Sequence, residues 1–139
     1  MPTAQPPEPP YERLDAWRAC HELALVIHRS TRNWPLPDGD CLIDRVRSAS
    51  CRAAVSLMEC AARAGARERG RCVVQALGAI AEVTYLILLA RDVAIIDADE
   101  WHLLNGLATR AGQLTGGLNR ALKNKRPGLP APLAAPRPR

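Results

Sequence analysis

The sequence predicts an all-α fold, an antiparallel up-down-up-down four-helix bundle that assembles as a homo-oligomer, from three observations. Ten of the twelve prolines lie outside residues 11–126, and the two inside, Pro35 and Pro37, fall together in the segment WPLPDGD. Proline lacks an amide donor and clashes inside a helix, so the long proline-free stretches are free to be helical and WPLPDGD is a break. Hydrophobic residues make up 47% of the chain and charged ones 24%, with no phenylalanine, a balance that favours helices over aromatic-rich sheets. Finally, apolar residues recur every three or four positions in four segments whose connections are short enough to force antiparallel neighbours. The 139 residues suffice for one domain with a real core and are too few for two ordinary ones.

The first helix is expected from Asp15 to Asn33, with Trp17, Cys20, Ala24, Ile27, Thr31 and Trp34 forming one inward stripe. The second begins after Asp40, whose carboxylate can cap its free amides, and ends near Gly65. It carries Leu42, Val46, Ala49, Ala53, Leu57 and Cys60 inward, while Arg45, Arg52, Glu59 and Arg63 face out. The third, from Glu68 to Asp92, contains the run Val73 to Ala90, whose only charge is Glu82. Eighteen such residues are borderline for a membrane span, but Gln75, Gly78 and Glu82 within the run argue for a helix in a bundle. A helix apolar nearly all round must be covered on more than one face, and in a four-helix monomer one face stays in water. Self-association is the expected consequence. The fourth helix starts at Asp97 or Asp99, with Asp97 and Glu100 spaced like a capping box, and continues through Trp101, Leu104, Ala108, Ala111, Leu114, Leu118 and Leu122.

Residues 1–10 and 127–139 are expected to be disordered Pro-rich tails flanking a bundle over 11–126. The first residues lack a basic start followed by an apolar run, so no secretory signal is expected and the cytoplasm is the predicted compartment. Five cysteines (Cys20, Cys41, Cys51, Cys60, Cys72), odd in number and without a CxxC pair, are expected to be buried free thiols.

No residue pattern defines an enzyme. His21 and His28 lie seven residues apart on one helix, roughly 10.5 Å, too far to share a metal ion. Glu-x-x-His pairs are absent, so the di-metal site of other bundles lacks its ligands. Gly65 to Gly70 (GARERG) lacks the Gly-Lys-Ser/Thr ending of a phosphate loop, and no GxSxG motif occurs. No cofactor or metal is expected. Glu82, deep in its apolar helix, is expected to pair with an arginine such as Arg52 or to reach a hydroxyl, because an unpaired buried carboxylate is costly.

Once the four segments are aligned, YERLDAWRACHELALVIHRSTRNWP resembles the opening of the four-helix-bundle proteins encoded in intervening sequences of bacterial 23S rRNA genes. RAAVSL (Arg52 to Leu57) resembles that family's second-helix motif, and ALGAIAE (Ala76 to Glu82) and ARD (Ala90 to Asp92) its third, so the resemblance spans about Tyr11 to Leu122. One departure stands out: Cys60, Ala61, Ala62, Arg63 and Ala64 replace the family's usual Asn-Ile-Ala-Glu-Gly. The resemblance implies a homopentamer. It extends to the accessory variability determinant of diversity-generating retroelements, similar in fold, which implies a reverse transcriptase and nucleic acid as partners.

The formal net charge is +5, and Lys123 and Lys125 are the only lysines. In an up-down-up-down bundle the turn between the second and third helices lies beside the end of the fourth. Arg63, Arg67, Arg69 and Arg71 should therefore approach Arg120, Lys123, Lys125 and Arg126 and make one pole basic. Asp38, Asp40, Asp97, Asp99 and Glu100 gather at the other, mostly at helix N-termini where the helix dipole favours them. These eight basic residues are the candidate nucleic-acid contacts, for structured RNA or an RNA/DNA hybrid held by its phosphates. Tyr11, Trp17, Trp34, Tyr85 and Trp101 are too few to predict base reading. A protein scaffold, or a reverse-transcriptase subunit that does not itself bind nucleic acid, is the alternative. No membrane partner is expected.

Overall fold

The computed structural model describes Pro7 and residues 9–124. After a 3₁₀ turn at Pro10–Arg13 come four α-helices: α1 (Asp15–Thr31), α2 (Cys41–Ala62), α3 (Ala66–Asp92) and α4 (Ala98–Asn124). Each helix packs on its neighbours in sequence, and α1 also packs on α4, which closes the ring of an up-down bundle. Apart from Pro7, Pro9 and Pro10, the expected tails lie outside the described residues, as do Lys125 and Arg126.

The helix limits follow local chemistry. α1 stops at Thr31 rather than Asn33, because the amides of Arg32, Asn33 and Trp34 donate to carbonyls three residues back, a tightening that often ends a helix. Asp40 caps α2 by accepting from the Leu42 amide at 2.8 Å. α2 ends at Ala62, earlier than Gly65, since Arg63 turns extended (φ −85°, ψ 142°). α3 starts at Ala66, two residues before Glu68, directly after an extended Gly65. It ends in a paired motif in which Ile95 N–H reaches the Ala90 carbonyl at 2.8 Å and Ala94 N–H reaches that of Arg91 at 3.0 Å. Ala94 holds the left-handed position of that motif, φ 63°, where glycine is usual. Asp97 caps α4 through the Glu100 amide at 2.8 Å. The Glu100 carboxylate does not complete the box; it accepts from the Trp34 indole at 3.2 Å and ties α4 to the α1–α2 connection.

The core is built of Leu23, Ile27, Val46, Leu57, Val73, Val83, Leu86, Ile87 and Leu104, all essentially inaccessible. Ala49 and Ala53 on α2 and Ala76 and Ala79 on α3 are all buried, and such small side chains let helix axes approach closely. The α2–α3 contact is the most extensive in the bundle. Thr31 is buried with its hydroxyl satisfied twice, donating to the Ile27 carbonyl and accepting from Arg47 Nε, each at 2.7 Å. Burial also pushes the Cys20 thiol up to about 11, against a weaker opposing contact with Thr115.

By length and composition α3 could cross a membrane, yet 44% of its most apolar stretch is buried inside the bundle. Val74, Gly78, Ala81 and Tyr85 form an outward stripe on it, with Val74 at 55% and Tyr85 at 60% exposure.

Candidate nucleic-acid interface

The end of α2, the start of α3, the end of α4 and the Pro10–Arg13 turn meet at one pole. They share an open pocket of about 200 Å³ lined by Pro10, Leu14, Cys60, Ala61, Arg69, Leu118 and Leu122. The expected juxtaposition of the α2–α3 turn with the end of α4 is therefore present. Arg63, Arg67 and Arg71 are exposed and form no ion pair among the described residues. Arg69 behaves differently: half-buried, it donates from Nε to the Arg63 carbonyl at 2.6 Å and so staples the turn.

On α4, Lys123 is exposed in the last turn, where its charge suits the negative end of the helix dipole. Arg120 lies back along its own helix, its guanidinium occupying the space beside Gly116 and Gly117. Helical side chains tilt toward the N-terminus, so Arg120 flanks the pole rather than crowning it. Lys125 and Arg126 lie outside the described residues.

The N-terminus of α3 sharpens the electrostatics. The positive end of a helix dipole favours acidic side chains, yet the first two turns of α3 carry Arg67, Arg69 and Arg71 against a single Glu68. Gly65 offers no side-chain cap, and Leu14 offers none to α1 at the same pole. Unpaired amides and guanidinium groups there all favour an anion.

Three further residues belong to this end. Trp17 stacks on His21 with ring centroids 4.9 Å apart and planes 10° from parallel, and Tyr11 closes on Trp17 at 4.7 Å. Two of the five aromatic residues are thus gathered with His21 near the start of α1. The four-residue spacing of Trp17 and His21 was the available signal.

Elsewhere the structure corrects two expectations. Cys41 and Cys51 are exposed, and only Cys20, Cys60 and Cys72 are buried, although all five thiols are free. Glu82 pairs with Arg52 as expected, and also with Arg45 at 3.1 Å, but its side chain is 29% exposed, so this is a surface triad rather than a buried pair. His28 Nδ1 lies 2.8 Å from the Ala24 carbonyl, and among the described residues no group of three or more His, Cys, Asp or Glu is placed to hold a metal.

The family model for the 23S rRNA-intervening sequence protein matches residues 12–117. The chain belongs to that family. No curated protein matches it. The family match includes all four arginines of the α2–α3 turn and stops before Arg120 and Lys123.

Proposed function

We propose that the protein is a non-enzymatic nucleic-acid-binding accessory protein of the cytoplasm that works as a homopentamer. It holds structured RNA or an RNA/DNA hybrid by its phosphates. The observation that carries this reading is the placement of Arg67 and Arg71, exposed and unpaired, at the uncapped N-terminus of α3. Cations at the positive end of a helix cost a few tenths of a kcal/mol each or more, and a bound phosphate reverses the sign of that term. Five copies of the pole would present a multivalent surface whose affinity falls steeply with salt.

The homo-oligomer is supported by the outward stripe of α3. An interior helical glycine costs roughly 1 kcal/mol relative to alanine, and Gly78 has open space where a side chain would stand. That space suits the close approach of another helix. Light scattering should give a particle five times the 15.1 kDa chain mass, and a particle of one chain mass would refute assembly.

Filter binding of a folded RNA and an RNA/DNA hybrid at low and moderate salt tests the central reading. Binding at low salt that weakens steeply as salt rises is expected, with little sequence preference. No binding at low salt would leave the scaffold, or a reverse-transcriptase subunit without its own nucleic-acid contact, as the better account.

A further inference from the structure

Beneath the basic pole lie two thiols that the proposed function does not use. Cys60 is in the last turn of α2 and Cys72 in the second turn of α3, with 3% and 6% of their surface exposed. Glu82 pairs with both Arg45 and Arg52, which places it about level with the middle of that stretch of α2 and sets the antiparallel register of the two helices. Cys60 stands roughly 17 Å along α2 beyond that midpoint, and Cys72 roughly 15 Å along α3 before Glu82. The two thiols therefore occupy the same layer of the bundle within about 3 Å along the axis, both turned inward. They lie on the two helices that pack most extensively, both of which bury small side chains, Ala53 on α2 and Ala76 on α3.

Access is open on one side. The open pocket of about 200 Å³ reaches Cys60 and has Arg69 on its wall. It has room for a molecule of a few atoms. Burial pushes the Cys60 thiol up, the neighbouring Cys72 adds to this, and Arg69 partly offsets both. The exposed Cys41 and Cys51 are ten residues apart on α2, roughly 15 Å along the helix, and cannot pair within one chain.

We propose that Cys60 and Cys72 are a dithiol modification site, oxidised by a small hydroperoxide entering through the pocket to an intramolecular disulfide that clamps the arginine-bearing α2–α3 turn. In the minor fraction of Cys60 that is ionised, its proton having gone to water, the sulfur attacks the terminal peroxide oxygen; the O–O bond breaks, hydroxide or alkoxide leaves and takes up a proton as water or an alcohol, and Cys60 becomes a sulfenic acid. The Cys72 sulfur then attacks Cys60 Sγ, the S–O bond breaks, and the departing hydroxide takes the Cys72 proton as water. Two thiols lose two electrons and two protons in total, and the hydroperoxide is reduced to water or an alcohol.

The test uses the full chain with both exposed thiols removed (C41S/C51S), treated with hydrogen peroxide, alkylated under denaturing conditions and digested with trypsin without reductant. Arg63, Arg67, Arg69 and Arg71 separate the two cysteines, so cleavage parts them unless a disulfide joins them. The expected product is a linked peptide pair containing Cys60 and Cys72 that disappears on reduction. Adding C72A should abolish the link and leave Cys60 as a sulfenic acid captured by dimedone. Recovery of both cysteines as alkylated thiols in the C41S/C51S protein, or a link from either of them to Cys20 instead, would overturn the proposal, and neither result depends on the variant at Cys72.

Discussion

The two poles of the bundle are built from the same parts and finished differently. At the acidic pole each incoming helix is capped by an aspartate, Asp40 on α2 and Asp97 on α4, and Trp34 bonds Glu100 across the connection. Arg91 there lies over the Trp101 ring at 4.4 Å and also pairs with Asp92. At the basic pole, α1 and α3 begin after Leu14 and Gly65 with no side-chain cap; α1 keeps Asp15 in its first turn, but in the first two turns of α3 Arg67, Arg69 and Arg71 outnumber the single Glu68. At one pole a side chain caps each helix start. The other leaves both helix starts uncapped and Arg63, Arg67 and Arg71 without an ion pair among the described residues, the difference on which the proposed anionic partner rests.

The largest expected effect comes from reversing charge at the unsatisfied pole. R67E/R71E should weaken RNA binding about tenfold to a hundredfold for all sequences alike, while stability changes by less than about 0.5 kcal/mol. Arg69 is left alone in that design because it staples the Arg63 carbonyl, and its loss would mix folding with binding. Affinity unchanged by the double reversal would break the comparison. At the other pole the expectation inverts: Asp97→Ala should cost about 1 kcal/mol in urea unfolding at matched concentration and leave RNA affinity unchanged.

Ala94 is the exception at the acidic pole, a non-glycine residue held at φ 63°. Ala94→Gly should raise stability by roughly 0.5–1 kcal/mol, measurable as a higher urea midpoint, and a loss would show that the left-handed turn costs nothing there. The smallest effect is expected at Gly65. Gly65→Asp supplies the missing cap to α3 and should add a few tenths of a kcal/mol to stability while weakening RNA binding several-fold. Improved stability with unchanged binding would separate the helix terminus from the interface.

Much of this contrast is legible in the sequence, because caps are local. Asp40 and Asp97 announce α2 and α4 by side chain alone, and the inward stripe of α2, from Val46 through Ala49, Ala53 and Leu57 to Cys60, is buried as its spacing implies. Where an uncapped glycine opens α3, no side-chain signal marks the start, which lies two residues before Glu68. Cys51 falls off the inward stripe and is exposed, so periodicity outweighs the general tendency of cysteine to be buried. The second partner of Glu82, Arg45, depends on the register between α2 and α3, and the burial of Arg69 depends on the path of a turn. Neither quantity is encoded in spacing along one helix.

Amide hydrogen exchange with and without a folded RNA at low salt tests the difference between the poles most directly. Added protection is expected at Ala66 to Glu68, the open amides of α3, and none at Ala98 to Glu100, whose N-terminus Asp97 already caps. Protection confined to Ala98 to Glu100, or absent from both segments while RNA is bound, would contradict that expectation.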